Sequence, residues 1–264
     1  MINRIITSIW ACLLLGCSLT VQANSTLDRV KASKTLNVCI WPNYYGITYT
    51  NPRTGVLEGV DIDMSQALAN DLGVKLNYIS SSFASFIQDL ESDKCDIAMM
   101  GVGVTPSRSE RLAFSRPYLR SDILFITTRS NRQLNSIDDI DKPGVVIAVQ
   151  KGTLMEPFLR GRLKSATLTV TTGLGERERE VESGRADAFA TDYPYSQKML
   201  ADTDWAKVIV PERPWQLTDY AYAVKKNDPI WLGTVDEFLS KVKKDGRLEA
   251  AAKKNNLTPI LIRD

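Results

Sequence analysis

The sequence predicts an α/β protein made of two lobes, each a mostly parallel sheet flanked by helices. Strand-like and helix-like segments alternate from residue 36 onward, and this alternation runs through twice. Strands separated by helices indicate parallel βαβ units with right-handed crossovers. The two halves also show internal sequence similarity, because ESDKCDIA at 91–98 resembles ESGRADAF at 182–189 with a constant offset of 91 positions. Two related lobes joined by two hinge crossings are therefore expected.

Hydrophobic periodicity predicts the elements of the first half. Apolar residues at 64, 67, 68 and 72, followed by Gly73, predict a helix over 61–72. Apolar residues at 83, 86, 87 and 90 have helical spacing and predict a second helix. Short apolar runs predict strands over 36–40, 74–79 and 97–100.

The second half predicts strands over 144–149, 166–170 and 186–191, and helices over 153–162 and 176–183. A β-prone run over 118–128 predicts a strand that crosses between the lobes. Residues 220–224 would carry the chain back, and a helix over 231–248 would pack on the first lobe. The predicted first lobe comprises residues 24–121 and 222–264, and the second comprises 122–221.

The first 23 residues predict a secretory signal peptide. Arg4 precedes an apolar run over 5–16, and the small residue Ala23 ends the segment. The run is shorter than the roughly 20 residues that a membrane span needs. An alternative is a lipoprotein signal, because LLGC at 14–17 would present Cys17 for lipidation. Both alternatives predict export to the periplasm.

The composition excludes several kinds of chemistry. The chain has no His, so it has neither a Ser-His-Asp triad nor a His-ligated metal, and we expect no cofactor and no metal. A formal charge of +2 does not suggest a nucleic-acid binder. Cys39 and Cys95 remain after signal cleavage, and export permits a disulfide between them. Two buried thiols fit the apolar surroundings almost as well, so the sequence leaves the bridge open.

Ligands of open parallel sheets bind outside the carboxyl ends of the strands. The predicted strand ends supply four segments, at 41–44, 101–105, 151–153 and 191–192. Two lobes that face each other would bring all four to one cleft. Gly101 and Gly103 lie in the second of these segments.

Arg108 is the first candidate for ligand binding. Thr105 as N-cap and Pro106 as the first helical residue would place Arg108 in the first turn of a short helix. A cation there opposes the helix dipole, and a bound anion would offset that penalty. The alternative is a salt bridge to a nearby carboxylate, for which the candidates are Glu91, Asp96 and Glu110.

Asp192 is the second candidate, either as a helix N-cap or as the counter-charge of a ligand ammonium. Thr153 opens a capping-box pattern with Glu156, and Gly152 beside it would allow close backbone approach. Arg108 and Asp192 on opposite lobes would clamp a zwitterion. The aromatic residues Trp41, Tyr44 and Phe83 would form an apolar or stacking wall.

Six ordered motifs carry a family resemblance: GVDID at 59–63, KCDIA at 94–98, TPSR at 105–108, FSRPY at 114–118, GT at 152–153 and GRADA at 184–188. The chain resembles the family 3 periplasmic solute-binding proteins, the polar amino acid receptors of ABC importers. This implies a two-lobed, type II-like periplasmic-binding-protein fold that closes on its ligand. It also implies that Arg108 with Gly152 and Thr153 binds an α-carboxylate, that Asp192 binds an α-ammonium, and that Tyr44 packs on the ligand side chain.

The expected partners are an amino acid-like ligand and an ABC permease in the inner membrane, and the receptor is expected to be a monomer that binds no nucleic acid. Two departures from the family pattern bear on the ligand. The family usually has Ser or Thr at the position of Gly103, and basic amino acid receptors often have an acidic residue at that of Trp41. The sequence therefore favours a neutral or aromatic amino acid over a cationic one.

Two alternatives remain. Cyclohexadienyl dehydratase resembles these receptors, and its general-acid glutamate lies three residues beyond the aspartate that matches Asp192. This chain has Tyr195 there, and a phenol with a pKa near 10 is a poor acid at neutral pH. A sensory ligand-binding module with the same fold is the third possibility. Export without a following membrane span favours a free receptor.

Overall fold

A computed structural model describes residues 25–264, so the predicted signal peptide over 1–23 and Cys17 lie outside the described residues. The elements up to the first crossing are α1 (Thr26–Ser33), β1 (Thr35–Ile40), β2 (Asn43–Tyr44), β3 (Thr48–Thr50), β4 (Leu57–Glu58), α2 (Val60–Leu72), β5 (Lys75–Ser80), α3 (Phe86–Glu91), β6 (Ile97–Gly103), α4 (Pro106–Ser109), β7 (Leu112–Phe114) and β8 (Leu119–Ser121).

The elements that follow are β9 (Leu124–Thr128), β10 (Val146–Gln150), α5 (Met155–Arg162), β11 (Thr167–Thr171), α6 (Glu176–Glu182), β12 (Ala188–Thr191), α7 (Tyr193–Asp202) and β13 (Ala206–Ile209). The chain ends with β14 (Thr218–Lys225), α8 (Pro229–Lys244) and α9 (Arg247–Lys254). Short 3₁₀ turns lie at Ile137–Asp139 and Thr258–Ile260.

Two separate sheets confirm the two-lobed α/β fold. The first has the strand order β5-β1-β6-β14-β7, with β8 also paired to β14. The second has the order β11-β10-β12-β9-β13. In each sheet three strands pair in parallel, and an antiparallel strand (β14 or β9) is added beside β6 or β12. The carboxyl ends of β6 and β12 carry the chain directly to Arg108 and Asp192.

Two crossings connect the lobes. The run predicted as one strand over 118–128 is divided into β8 in the first sheet and β9 in the second, with Asp122 and Ile123 between them. The Asp122 carboxylate accepts hydrogen bonds from the backbone N–H groups of Trp215, at 2.9 Å, and Gln216, at 2.7 Å, so the two crossings are tied together. The lobe boundaries stay a prediction, but β14 already pairs with the first sheet from Thr218, before the predicted limit at 221.

Three predicted helices differ from the observed ones. The helix over 231–248 is two helices, because Gly246 has φ +83° and ends the run between α8 and α9. The helix with Phe83 on its face begins only at Phe86, which leaves Phe83 in the preceding turn. The helix predicted from Thr153 begins at Met155.

Cys39 and Cys95 are joined by a disulfide, which decides the alternative that the sequence left open. Both cysteines belong to an apolar cluster with Phe86, Leu90 and Met100 behind the first sheet. No helix in residues 25–264 combines the length and apolarity needed to cross a membrane. The same residues contain no group of three or more potential metal ligands among His, Cys, Asp and Glu.

Candidate functional site

A cavity lies where the ends of β1, β6, β10 and β12 meet between the two lobes. Its lining residues are Trp41, Tyr44, Phe83, Gly101, Gly103, Arg108, Thr153, Leu154, Met155, Arg177, Thr191, Asp192, Tyr195 and Tyr220. Eight of the nine predicted site residues are among them. The ninth, Gly152, contacts the cavity arginine through its carbonyl group.

Arg108 is a buried cation, with 6% of its surface exposed. Thr105 caps α4 by accepting a hydrogen bond from the Arg108 backbone N–H, and Pro106 opens the helix, as predicted. The guanidinium donates to the carbonyl oxygens of Gly103, at 2.8 Å, and Gly152, at 3.0 Å. Burial lowers the pKa of Arg108 to about 10, which still leaves the side chain protonated at neutral pH.

No carboxylate of residues 25–264 forms a salt bridge with Arg108. Two of the acids proposed as its alternative partners are taken by other arginines, since Glu91 pairs with Arg111 and Asp96 with Arg29. The Arg108 guanidinium instead lies over the Phe86 ring, 5.3 Å from its centroid. A buried charge without an opposite charge is costly, so the arrangement favours an anionic guest.

Asp192 is a buried acidic side chain, with 2% of its surface exposed. It caps α7 by accepting the Tyr195 backbone N–H at 3.2 Å, and it also accepts the hydroxyls of Tyr44 and, at 2.5 Å, Tyr220. Burial raises the pKa of the Asp192 carboxyl, and the hydrogen bonds from Tyr220 and Tyr44 oppose that rise. The tyrosines share Oδ2, so Oδ1 keeps an acceptor position for a further donor.

Asp192 therefore caps α7, the first of the two roles that the sequence offered, and its side chain also lines the cavity, whereas its role as counter-charge of a ligand ammonium stays a prediction. No cation within residues 25–264 lies within salt-bridge distance of it. Arg108 and Asp192 thus place opposite buried charges in one cavity, one from each lobe, and neither forms a salt bridge with the other or with any charged side chain of residues 25–264.

The lobes touch at Gly152. Arg108 of the first lobe donates to its carbonyl group, and a Cβ atom at this position would lie 2.8 Å from backbone atoms of Phe83 and Ala84. Gly152 also has φ +78°, a conformation that other residues adopt only with strain. Only glycine lets the two backbones approach this closely.

The capping-box prediction for Thr153 is wrong in its details. The Thr153 hydroxyl donates to the Gln150 carbonyl group at 2.8 Å, and the Glu156 carboxylate accepts from the Gly152 N–H at 2.9 Å. The turn that begins at Gly152 delays the helix by two residues. Thr153 nevertheless lines the cavity, beside Leu154.

Gly103 is a position at which the resemblance described above implies a serine or threonine. A Cβ atom there would lie 2.5 Å from Leu154 Cδ2, and the Gly103 carbonyl group holds the Arg108 guanidinium. Leu154 from the second lobe thus fills the space that a serine or threonine side chain would need. The missing hydroxyl is replaced by an apolar contact between the lobes.

The three predicted aromatic residues form one cluster beside the charges. The ring centroids of Trp41 and Phe83 are 5.5 Å apart, and those of Tyr44 and Phe83 are 5.7 Å apart. Gly101 lies next to them, where a Cβ atom would be 2.9 Å from the Tyr44 ring. The three rings therefore form one wall of the cavity, and their contact with a ligand side chain stays a prediction.

Sequence reasoning did not place Leu154, Met155, Arg177, Thr191, Tyr195 and Tyr220 among the site residues. Thr191 lies in the strand-end segment 191–192 that was predicted to line the cleft, although it is not one of the nine named residues, and extending that segment by three residues would have included Tyr195. Tyr220 was assigned to a hinge strand. Arg177 lies in the run ERERE, whose alternating charges gave no sign that one arginine is buried.

The comparisons with known proteins agree with this architecture. Cyclohexadienyl dehydratase from Pseudomonas aeruginosa is 31% identical over 240 residues, which cover 90% of this chain and 89% of that protein. An ancestral amino acid-binding protein, described as a precursor of cyclohexadienyl dehydratase, has 32% identity and a TM-score of 0.79, over 88% of this chain and 99% of that one.

A substrate-binding protein of an amino acid ABC transporter from Streptococcus pneumoniae, bound to L-arginine, has 29% identity and a TM-score of 0.79, over 88% of this chain and 98% of that one. The family described as bacterial extracellular solute-binding proteins, family 3, matches residues 36–257. The chain therefore belongs to family 3 of the bacterial extracellular solute-binding proteins.

Proposed function

We propose that this protein is a periplasmic receptor of an ABC importer and binds an α-amino acid, or a related small zwitterion, between its lobes. The observation that carries the proposal is the pair of unpaired buried charges in one cavity, Arg108 from the first lobe and Asp192 from the second. The carboxylate and ammonium of an amino acid are the smallest groups that satisfy both.

Closure follows from the same geometry. A ligand that bridges Arg108 and Asp192 touches both lobes only in the closed form, so its binding energy favours that form over open ones. In this proposal the chain is exported, acts in the periplasm as a monomer, and presents its closed outline to a permease in the inner membrane. The ligand is the only small molecule that the mechanism requires.

The test is calorimetry of Arg108→Ala with the amino acid that the parent binds best in a thermal-shift screen. Loss of the guanidinium leaves a buried ligand carboxylate unpaired, so we expect a cost of about 2–4 kcal/mol, or roughly 30- to 1000-fold in affinity. Arg111→Ala is the matched control, because Arg111 is exposed and pairs with Glu91 outside the cavity. Equal affinity in parent and Arg108→Ala would exclude the proposed ligand geometry.

The second candidate function is a dehydratase, which the 31% identity to cyclohexadienyl dehydratase favours. Such an enzyme needs an acid that gives its proton to the leaving hydroxyl group while the substrate loses carbon dioxide. Tyr195 is a weak acid here, since burial raises its pKa further. Burial by itself would raise the pKa of Glu178 as well, but the Arg177 charge and the hydrogen bonds to the carboxylate together lower that pKa below its ordinary value, so Glu178 is ionised at neutral pH.

Asp192 is the one carboxylate that lines the cavity within the described residues, so the enzymatic mechanism would have to use it as the acid. Incubation with prephenate separates the two functions, because only the enzyme yields phenylpyruvate, which absorbs strongly in alkali. A receptor shows no turnover, whatever its affinity for prephenate. Turnover that Asp192→Asn abolishes would replace the receptor proposal with the enzyme.

A further inference from the structure

Arg177 is a second buried arginine in the cavity wall, with 5% of its surface exposed. Its Nε donates to Glu178 Oε1 at 3.0 Å, and its Nη1 donates to the Ala190 carbonyl oxygen at 3.2 Å. The guanidinium also lies on the Tyr195 ring, 4.0 Å from its centroid. A carboxylate, a strand carbonyl and a ring face therefore hold the group in one orientation.

The third nitrogen of this guanidinium is unused. Nη1 and Nε have acceptors, whereas Nη2 of Arg177 makes no hydrogen bond to any of residues 25–264. Arg177 lines the same cavity as Arg108 and Asp192, and burial raises the pKa of the Asp192 carboxyl in spite of the Arg177 charge, which is the weakest of the effects that oppose the rise. A fixed donor without an acceptor thus belongs to the wall that surrounds the ligand.

The other two charged residues of the cavity bind the α-groups of the ligand, so the Arg177 donor is available to the ligand side chain. In the proposed function, on which this inference rests, Arg108 takes the α-carboxylate and Asp192 the α-ammonium. Arg177 is then available to the group at the end of the ligand side chain, beyond the aromatic wall. A ligand oxygen placed beside Nη2 would accept a charge-assisted hydrogen bond, which is stronger than one between neutral groups.

We propose that Arg177 selects a ligand whose side chain ends in an oxygen acceptor, a carboxamide or a carboxylate, and that it excludes cationic side chains. A lysine or arginine side chain would bring a further positive charge into a cavity whose lining already contains the guanidinium groups of Arg108 and Arg177. Glu178 does not reverse this preference. Its Oε1 accepts the hydrogen bond from Arg177 Nε, its Oε2 is buried without a hydrogen-bond partner in residues 25–264, and Glu178 is not among the residues that line the cavity.

The first experiment measures the affinities of the dialysed full-length mature protein for glutamine, glutamate, methionine and lysine by calorimetry. These side chains are similar in length and end in an amide, a carboxylate, an apolar group and a cation. We expect glutamine or glutamate to bind at least about 10-fold more tightly than methionine and lysine, the effect of one hydrogen bond to a charged group. The comparison of glutamine with glutamate distinguishes the amide from the acid.

The second experiment changes the donor. Arg177→Met keeps the bulk of the side chain beside Tyr195 but removes the hydrogen bonds, so the affinity for glutamine and glutamate should fall about 10- to 100-fold. The affinity for methionine should stay within about threefold, since no hydrogen bond to its side chain is lost. The double variant Arg177→Met/Glu178→Gln removes the carboxylate that would otherwise be left unpaired and should show the same difference between ligands.

Arg162→Met is the matched control. Arg162 is an exposed arginine that also lies over an aromatic ring, 4.3 Å from the Trp215 centroid, but it is not part of the cavity. It should leave all four affinities unchanged. Preferred binding of lysine by the parent, or equal losses for glutamine and methionine in the folded double variant, would overturn this inference while leaving the receptor proposal intact. Failure of every amino acid to bind would instead overturn the proposed function itself.

Discussion

Asp61 and Asp192 are two buried carboxylates that each accept hydrogen bonds from a backbone N–H group and a tyrosine hydroxyl. Asp61 is fully buried in α2 and accepts the Gly101 N–H at 2.8 Å and the Tyr118 hydroxyl at 2.7 Å. Asp192 is equally buried but accepts three hydrogen bonds, two of them from tyrosines of the other lobe. Asp61 lies behind the cavity wall formed by Gly101, whereas Asp192 is part of the wall.

The different positions of Asp61 and Asp192 determine whether the buried carboxylate affects stability or ligand binding. Asp61 has one oxygen without a hydrogen bond, close to the similarly unpaired Tyr222 hydroxyl, and burial raises its pKa to about 7. No ligand can reach it, so it influences folding and its response to pH. Asp192 lines the cavity, where we expect its charge to meet the ammonium group of the ligand. Three predictions test this contrast.

The largest effect is expected for Asp192→Asn. Removing one partner of a buried charge pair costs about 3–5 kcal/mol, so the affinity for the amino acid ligand should fall at least about 100-fold. The free energy of unfolding without ligand should change by no more than about 1 kcal/mol, because asparagine also caps helices well. Calorimetry and urea unfolding measure the two quantities.

Asp61→Asn is the control for that experiment, since it removes an equally buried charge outside the cavity. Its ligand affinity should stay within about fivefold of the parent value, because the Gly101 N–H keeps an acceptor. A loss of affinity as large as that of Asp192→Asn would show that the two carboxylates do not differ as the geometry indicates.

The second prediction concerns the pH dependence of stability. The pKa of Asp61 is higher in the folded protein, about 7, than its ordinary value of 3.8, so the folded form binds the proton more tightly. The stability that Asp61 contributes is therefore present below pH 4 and is lost as the pH rises to about 7. Between pH 5 and pH 8 the parent should lose about 2–3 kcal/mol more unfolding free energy than Asp61→Asn.

Urea unfolding of both proteins at the two pH values measures this difference. Groups such as Asp71 and Asp89, whose pKa values are lowered in the folded protein, titrate below this range and are common to both proteins. Parallel pH profiles for the parent and Asp61→Asn would contradict the assignment of the titration to Asp61.

The smallest effect is expected for the tyrosines. Tyr118→Phe removes one of the two hydrogen bonds to Asp61 and should lower the free energy of unfolding by about 1–2 kcal/mol. Tyr44→Phe should cost less, because Asp192 keeps the Tyr220 hydroxyl and the Tyr195 N–H. Thermal unfolding of the two ligand-free variants measures both losses of stability. A larger loss for Tyr44→Phe than for Tyr118→Phe would contradict the prediction.

The local features of the site were predictable from the sequence. Thr105 and Pro106 begin a helix because a side-chain cap and a fixed φ suffice there, and this places Arg108. Asp192 follows an apolar strand and caps the next helix for the same reason. Parallel strands end at one edge of a sheet, so the approach of Arg108, Asp192 and Thr153 to a common cleft also followed from the order of the elements.

Other features needed the folded molecule. The hydrophobic spacing that suggested a helix through Phe83 did not reveal that the chain turns there, and the charged run around Arg177 did not reveal its burial. Leu154 fills the space beside Gly103 only because the lobes meet at Gly152. The disulfide, too, required β1 and the loop before β6 to be neighbours in space.

The sequence by itself determined the two α/β lobes, the strand ends that carry the site, and the helix caps at Thr105 and Asp192. These follow from periodicity, capping and strand order, which act over a few residues or through general rules of chain connection. Only the tertiary structure decided which charges find partners, namely that Glu178 holds Arg177 while Arg108 and Asp192 have no oppositely charged partner within the described residues. Burial and pairing depend on groups far apart in the chain, and no local pattern specifies them.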